Sequence, residues 1–375
     1  MTMKKILIIG SGNLASMVGQ QLAWRNNDLE VIFGARNVAE AHLLVNSIKF
    51  TSSNLGNTNL HVRAIHLDLY NVEESSVTID EIKPDLIFNT ATDQAYWVAS
   101  ELPSKIFQEI AKAGIGPWTA CHAAPVVALM EACNLSLYKG LVVNAAFPDA
   151  VNPLLQHSTY APAIGIGNVA NIVQPIRHAV SSMTNNSISD IDIRMIAHHV
   201  VGNTIPSTGH TNGAPFHIEV SSNGKVISNI NFDAIFAHIQ TSLKRKRGKE
   251  GMWVTSSSAV SVLEGLISDE GYIQTHAPGV NGLVGGYPVK ITNGKVELDL
   301  PEHMTLSDAK AINEQGQNYD GIQSIEQGYL KVTDFSQDIF RRFLNIDLQG
   351  FHLNEAREVS QEILAKYKEV KVKYA

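Results

Sequence analysis

The stretch from Lys4 to Arg36, KKILIIGSGNLASMVGQQLAWRNNDLEVIFGAR, constrains the fold more than any other part of the chain. Ile6-Leu7-Ile8-Ile9 is a short apolar run rich in β-branched residues, which is how a strand buried on both faces of a parallel sheet reads. Gly10-Ser11-Gly12-Asn13-Leu14-Ala15 follows at once. Leu14, Met17, Val18, Gln21 and Leu22 then recur at helical spacing, and Val31-Ile32-Phe33 forms a second strand that ends at Gly34-Ala35-Arg36. Strand, glycine turn, helix and strand in a unit of about 30 residues is the setting in which G-x-G-x-x-G/A signals a dinucleotide site.

The turn has a physical logic. Gly10 permits the tight exit from the strand, and Gly12, without a Cβ, lets a pyrophosphate approach the backbone. Asn13 and Leu14 open a helix whose free N–H groups favour an anion, and Ala15 is small enough for that helix to lie close on the sheet. Gly10, Gly12, Asn13, Leu14 and Ala15 are therefore the expected cofactor contacts; the competing reading is a tight turn without ligand. At the end of the second strand an NAD site carries Asp or Glu for the ribose 2′-hydroxyl. Here Ala35 stands there, followed by Arg36, so NADP is the expected cofactor and NAD the alternative. The bland reading of Arg36 is a solvated loop residue.

A length of 375 residues suggests two domains, and 44% hydrophobic with 17% charged residues is ordinary for a core-forming soluble protein. A net charge of -7 argues against general nucleic-acid binding, and the basic run Lys244-Arg245-Lys246-Arg247-Gly248-Lys249 reads as a solvated loop. Two cysteines, Cys121 and Cys133, give neither a disulfide framework nor a zinc spacing. Met1-Thr2-Met3-Lys4-Lys5 leads straight into the first strand, which argues against a signal peptide, and no run approaches the ~20 apolar residues of a membrane span. A cytoplasmic protein without membrane or nucleic-acid partners is expected.

Along the chain, residues 38–50 read as a helix, Val62–Leu67 as a third strand, Glu73–Ile82 as a short helix and Asp85–Asn89 as a fourth strand. Ligands sit beyond the carboxyl ends of such strands, so Asn89, Thr90 and Ala91 are further candidate cofactor contacts. Trp97–Lys112 reads as a helix, Trp118–His122 as the fifth strand, Pro125–Cys133 as the next helix and Leu141–Ala146 as the sixth strand. Those strands complete a dinucleotide-binding domain over residues 1–150, which leaves 151–375 as an α+β substrate and catalytic domain. Leu353–Lys373 is an amphipathic helix, with Leu353, Ala356, Val359, Ile363, Leu364 and Tyr367 in one stripe.

Two resemblances follow from particular motifs. IIGSGNLA, GAR after the second strand, HLDLYN after the third and FNTAT after the fourth resemble the NADP-binding domain of saccharopine-dehydrogenase-like reductases over about the first 120 residues. From residue 140 to about 320 the order of elements resembles the lactate and malate dehydrogenase superfamily. A strand leads into FPDAVNPLL, then Ala163–Asn168, then a helix; Phe236–Ser268 is similar to that family's long helix pair, with Trp253 after the break. Gly285–Leu300 and Thr305–Gln315 resemble its final strands and terminal helix. Family-four glycosidases share this scaffold, and Ile166-Gly167-Asn168 is similar to their I-G-L-C-N. Together these imply a Rossmann doubly wound parallel sheet followed by a lactate/malate-dehydrogenase-like α+β domain.

The family's catalytic residues carry over poorly. Its G-E-H-G-D segment aligns with Gly202-Asn203-Thr204-Ile205-Pro206, so its His falls on Thr204, its Asp on Asn171 and its first Arg on Gln174. Arg177, one residue displaced, is the remaining candidate to grip an anionic substrate group, and a 2-hydroxy-acid reaction is not carried over. Against glycosidase chemistry, their metal-binding His would match His199, but their Cys ligand falls on Gly167, and no metal is expected. His198 and His199 read as neighbours on a strand, one facing in and one out. His199 is a candidate proton donor over the nicotinamide, against the plain alternative of a satisfied core histidine. His210, in the loop Thr208–Gly213, is either a substrate contact or a solvated residue, and Asn144 is either a hydrogen-bonder to nicotinamide or substrate or a turn cap. Cys121-His122 is disfavoured as a thiolate pair, because neighbours on a strand point apart.

The expectation is an NADP-dependent oxidoreductase that reduces a carbonyl or imine of a small polar or anionic metabolite. The alternatives are a hydrolase or lyase using bound NAD in the manner of family-four glycosidases, and a non-catalytic dinucleotide-binding partner subunit. A homodimer is expected by analogy of architecture alone.

Overall fold

β1 (Lys4–Ile9) sits inside a parallel sheet whose strand order explains where a ligand can go. In this computed structural model the described residues are 3–25, 28–246, 248–269, 271–292 and 294–374, with the Tyr96 side chain excepted. Met1, Thr2 and Arg247, which enter the readings above, lie outside them. The chain continues through α1 (Asn13–Arg25), β2 (Leu29–Ala35), α2 (Val38–Asn54), β3 (His61–His66), α3 (Val72–Ile82), β4 (Leu86–Asn89) and α4 (Ser104–Ala111). Next come α5 (Thr119–Leu135), β5 (Leu141–Asn144), α6 (Pro148–Leu154) and β6 (Ile164–Gly165). The six strands pair in the order β3-β2-β1-β4-β5-β6, all parallel. The order reverses between β1 and β4, and the crevice beyond their carboxyl ends is the ligand site of such sheets.

The expected strand at Trp118–His122 does not exist. Gly116–Trp118 is a 3-10 turn, and Thr119–Leu135 is one helix. All but a few residues of α5 are buried, so its apolar pattern lacks the one-sided period that separates a helix from a buried strand. Pro125 lies inside it. A proline has no N–H for the carbonyl four residues back. That carbonyl, on Cys121, instead accepts the Asp93 N–H (2.9 Å) and the Thr92 hydroxyl (3.0 Å), which pins the loop after β4 to α5. The sheet's sixth strand is Ile164–Gly165, beyond residue 150, paired with Val143 and Asn144.

A second, antiparallel sheet follows α7 (Ala170–Thr184): β7 (Ile191–Ala197), then α8 (His199–Thr208), β8 (Phe216–Ser222) and β9 (Lys225–Val226). α9 (Phe232–Thr241), α10 (Met252–Ile267), β10 (Tyr272–Pro278), β11 (Gly286–Thr292), β12 (Lys295–Leu298) and α11 (Leu306–Gly316) complete it. Its order is β10-β11-β7-β8-β9, with β12 on β11. The helix α10 packs its Ala259, Leu263 and Leu266 into one core with Ile6, Ile8 and Phe33 of the first sheet, so the two sheets share buried apolar surface.

The last segment returns to the first sheet. β13 (Ile322–Glu326), β14 (Tyr329–Val332) and β15 (Gly350–His352) form a small antiparallel sheet with α12 (Asp334–Leu344) and α13 (Ala356–Tyr374). Trp118 fixes it: its ring meets Phe340 edge-on at 5.2 Å and Tyr367 at 6.1 Å. Ile363, Tyr367 and Val370 of α13 are buried in the same core as α5. Among the described residues no helix is long and apolar enough to cross a membrane.

Candidate active site

The glycine turn has the shape that a pyrophosphate requires. Gly10 holds φ +107°, and a Cβ there would lie 2.6 Å from Thr90 Oγ1. Gly12 is exposed and has open space where its Cβ would be, whereas Ala15 is fully buried under α1. The first intrahelical bond of α1 runs from the Ser16 N–H to the Gly12 carbonyl (2.9 Å), leaving the N–H groups of Asn13, Leu14 and Ala15 without intrahelical acceptors. The residues present therefore fit a dinucleotide phosphate. Arg36 is exposed immediately beyond β2, with no carboxylate at that strand end.

Asn89, Thr90 and Ala91 lie at the carboxyl end of β4, but their polar groups are partly used within the turn. The Asn89 side-chain Oδ1 accepts the Ala91 N–H (3.2 Å), and the Thr90 hydroxyl donates to Ile9 O (2.7 Å). Asn144, at the end of β5, is fully buried with every side-chain hydrogen bond made. Its oxygen accepts from Asn89 Nδ2 (3.1 Å) and the Ala146 N–H (2.9 Å), and its nitrogen donates to Ala146 O (3.1 Å) and Asn152 Oδ1 (3.0 Å). Asn144 is a turn cap rather than a free contact for nicotinamide or substrate.

Beyond these strand ends the structure gathers four residues that the sequence left scattered. β7 ends at Ala197, and His199 is the first residue of α8, so His198 and His199 are not strand neighbours. Asp149, at the start of α6, accepts the His199 N–H at 3.0 Å and so caps α8 from 50 residues away. The other Asp149 oxygen accepts from Asn168 Nδ2. His199 Nδ1 lies 2.6 Å from Asp320 Oδ2, and its Nε2 lies 3.0 Å from the exposed Asn203 side-chain amide. Asp320 is anchored in turn by the Ile115 N–H on its Oδ1 (3.3 Å).

The electrostatics follow from burial and pairing. For His199, burial favours the neutral ring, but the adjacent Asp320 carboxylate, and Asp149 behind it, outweigh this and raise its pKa. For Asp320, burial works against the carboxylate, yet His199 prevails and holds its pKa below the usual range. His198, with its side chain fully buried, has its Nδ1 3.6 Å from Asp320, too far for a hydrogen bond, and burial pushes its pKa down. About 15% of the His199 side chain reaches solvent, against 0% for His198, so His199 alone of the two can meet a ligand. Phe147, at a positive φ of 43°, lies between three imidazoles, its ring 5.2 Å from His199, 6.3 Å from His198 and 6.1 Å from His122. His122 is pushed down to about 4, first by burial and then by the His199 charge.

The other candidates lie elsewhere. Thr204 is inside α8, its hydroxyl donating to Val200 O (3.1 Å). Arg177 is on α7, where it faces Asp192 at 3.8 Å. Asp192 is near the start of β7, and His199 follows that strand's end, roughly 20 Å away at the usual rise per residue. Arg177 therefore cannot hold a substrate against His199. Among the described residues, no arginine bonds or pairs with the His199 cluster. His210 is an exposed residue whose backbone bonds to Thr208, and it does not join the cluster. Cys121 sits on a helix, its thiol pushed up to about 12 by burial, and cannot supply a thiolate.

Asp149 and Asp320 belong to the candidate site, and the sequence assigned neither of them a role at His199. Asp149 stood in plain view in FPDAVNP, but Asp320 lies 121 residues from its partner, in the turn QNYDG, with no local mark of its role.

With this geometry in hand, the fold can be compared. No protein-family model matches the chain, and no curated sequence matches it. Solved structures do. A malate dehydrogenase from Plasmodium falciparum aligns with TM-score 0.55 and 14% identity, over 84% of this chain and 98% of its own. A lactate dehydrogenase from Cryptosporidium parvum, complexed with lactic acid and nicotinamide adenine dinucleotide, aligns with TM-score 0.53 and 16% identity, over 85% and 99%. The malate dehydrogenase from Aeropyrum pernix gives 0.55 and 12%, over 84% and 96%. The chain has the malate and lactate dehydrogenase fold. Because the match spans 84% of the chain, one fold accounts for both halves, and the resemblance of the first 120 residues to saccharopine-dehydrogenase-like reductases gains no support.

Proposed function

We propose that this chain is a nicotinamide-dinucleotide-dependent oxidoreductase acting on a carbonyl or imine of a small polar metabolite. One observation carries the reading. A histidine, oriented through Nδ1 by a buried carboxylate, presents Nε2 at the carboxyl edge of a sheet whose glycine turn fits a dinucleotide. The dinucleotide, when bound, supplies hydride transfer. The chain's own residues do the rest. Gly10, Gly12 and the opening of α1 bind the phosphates. Asp320 favours the charged form of His199 and fixes its ring; His199 Nε2 gives a proton to the reduced oxygen or nitrogen in one direction and accepts it in the other. Asp149 holds the start of α8, and with it the position of His199. Phe147 and the buried histidines exclude water from one side.

NADP is favoured over NAD because Arg36 occupies the strand end where a carboxylate would repel a 2′-phosphate. The Plasmodium and Cryptosporidium neighbours were solved with NADH and with nicotinamide adenine dinucleotide, and the same sheet in this chain supports the shared part of that cofactor. An anionic substrate group has lost its expected partner, since Arg177 lies at the far end of β7. The test compares wild type with His199→Gln. Dinucleotide affinity is followed by fluorescence, and turnover is followed with NADPH on a panel of ketones, aldehydes, 2-oxo acids and imines. The variant is expected to bind cofactor as wild type does and to lose at least ~100-fold in turnover. Undiminished turnover would remove His199 from the chemistry.

A further inference from the structure

We propose that Arg357, on the C-terminal helix α13, is the second half of an anion site with Arg36, and that the two together select a dinucleotide carrying a 2′-phosphate. The proposal rests on the dinucleotide reading above and names a determinant of cofactor choice that the sheet itself does not contain.

The two arginines converge on Tyr70. β2 and β3 run side by side with Ala35 opposite His66, and the Leu67 N–H donates to Ala35 O at 3.1 Å. Arg36 and the turn Asp68-Leu69-Tyr70 therefore leave the sheet together at its carboxyl edge. From the other side, α13 brings the Arg357 guanidinium over the Tyr70 ring, 4.2 Å from its centroid. The charges of Arg357 and Arg36 both favour the Tyr70 phenolate, although burial and Asp93 raise its pKa on balance.

The carboxylates around Tyr70 bond to neutral donors and not to the arginines. Both Asp93 oxygens take the Tyr70 hydroxyl, at 2.7 and 2.8 Å, and one also accepts the Ser360 hydroxyl at 2.6 Å. Asp68 Oδ1 accepts the Tyr70 N–H at 3.1 Å. Glu355 accepts the His352 N–H at 2.7 Å. Neither Arg36 nor Arg357 has an ion-pair partner among the described residues, and both are exposed. Two guanidiniums near one tyrosine, neither of them in an ion pair, repel each other, and a phosphate bound between them relieves that repulsion. Arginine forks match phosphate oxygens two at a time, and the ribose of a dinucleotide on this turn lies at the end of β2, beside Arg36. Arg357 itself is held in place by the ring beneath it and by Ser360, one turn on, tied to Asp93.

The test measures dissociation constants of the full chain for NADPH and NADH, with competition by adenosine 2′,5′-bisphosphate and by adenosine 5′-monophosphate. It uses wild type, Arg36→Met, Arg357→Met and Arg357→Lys. Wild type is expected to prefer NADPH and to bind the bisphosphate over the monophosphate. Arg357→Met is expected to shrink the NADPH-to-NADH preference by roughly tenfold or more, the scale of one charge-assisted hydrogen bond, with the thermal midpoint unchanged. Arg357→Lys, which keeps the charge but not the fork, restores part of the preference. If Arg36→Met collapses the preference and Arg357→Met does not, this inference is wrong while the dinucleotide reading stands. If Arg357→Met weakens both dinucleotides by the same factor, Arg357 serves Tyr70 or the fold rather than the phosphate, and the inference is again wrong. If wild type binds neither dinucleotide, the functional reading itself fails and this one with it.

Discussion

Replacing Asp320 by Asn tests the pairing on which the candidate site turns. The amide keeps the carboxylate's shape, and its oxygen can still accept the Ile115 N–H, which the native side chain takes at 3.3 Å. What disappears is the negative charge 2.6 Å from His199 Nδ1. A hydrogen bond to a charged partner contributes a net ~1.5–3 kcal/mol, and a charge left buried without its partner costs more, about 3–5 kcal/mol. His199 escapes the larger cost by losing its proton, because burial already favours the neutral ring and Asp320 is the main force against it. The variant's His199 therefore titrates at lower pH than the wild-type residue.

The pH dependence of stability has a definite sign. His199 is raised on folding, so its contribution is complete below the unfolded value of about 6.5 and is lost as pH rises through the folded value. Asp320 is lowered, so its contribution is complete above about 3.9 and is lost as pH falls through the depressed value. The wild type should thus exceed Asp320→Asn in unfolding free energy by roughly 1.5–3 kcal/mol between about pH 4 and 6.5, with the gap closing on either side. Urea unfolding at several pH values measures the gap, and NMR titration of the imidazole C–H signals reads the histidine directly. A His199 that titrates at the same or higher pH in the variant, or a stability gap that widens in alkali, would refute the assignment of Asp320 as its partner.

Two further outcomes follow from positions already described. Arg177→Met should leave turnover within about twofold of wild type and change stability by no more than ~1 kcal/mol, since its ion pair with Asp192 is long and half-exposed; a large loss of turnover would bring Arg177 back to the substrate. Gly10→Ala should destabilise the fold by more than ~1 kcal/mol in denaturant melts, because it adds a Cβ at a positive φ and against Thr90 Oγ1; a neutral substitution would show that the turn is looser than its geometry.

The sequence marks the glycine turn after β1 because every requirement there is local. A strand, two glycines, a small residue and a helix fit within one stretch, and the structure keeps each in its expected place. The failures share one physical cause: the deciding partner lies far along the chain. α5 is buried nearly all round by α3, α6 and the C-terminal segment, so its own pattern carries no helical period, and Pro125 reads as a break. Its missing hydrogen bond is instead made good by Asp93 and Thr92, about thirty residues earlier in a chain that gives no local hint of it. The start of α8 carries no local helix signal, since Val200 and Val201 are β-branched and no capping side chain precedes them. The cap exists, but Asp149 supplies it from another element. The same displacement governs the chemistry. The position expected for the acid that orients the histidine holds Asn171, whose amide donates to Thr255 (3.0 Å), while the acid in contact with His199 arrives from the turn after α11. A search for the acid at its familiar position finds Asn171 there and Thr204 in place of the histidine, whereas the fold pairs a carboxylate with a different imidazole, His199. The function of such a site is set by which groups meet at His199, and local spacing cannot reveal a meeting between residues 199 and 320.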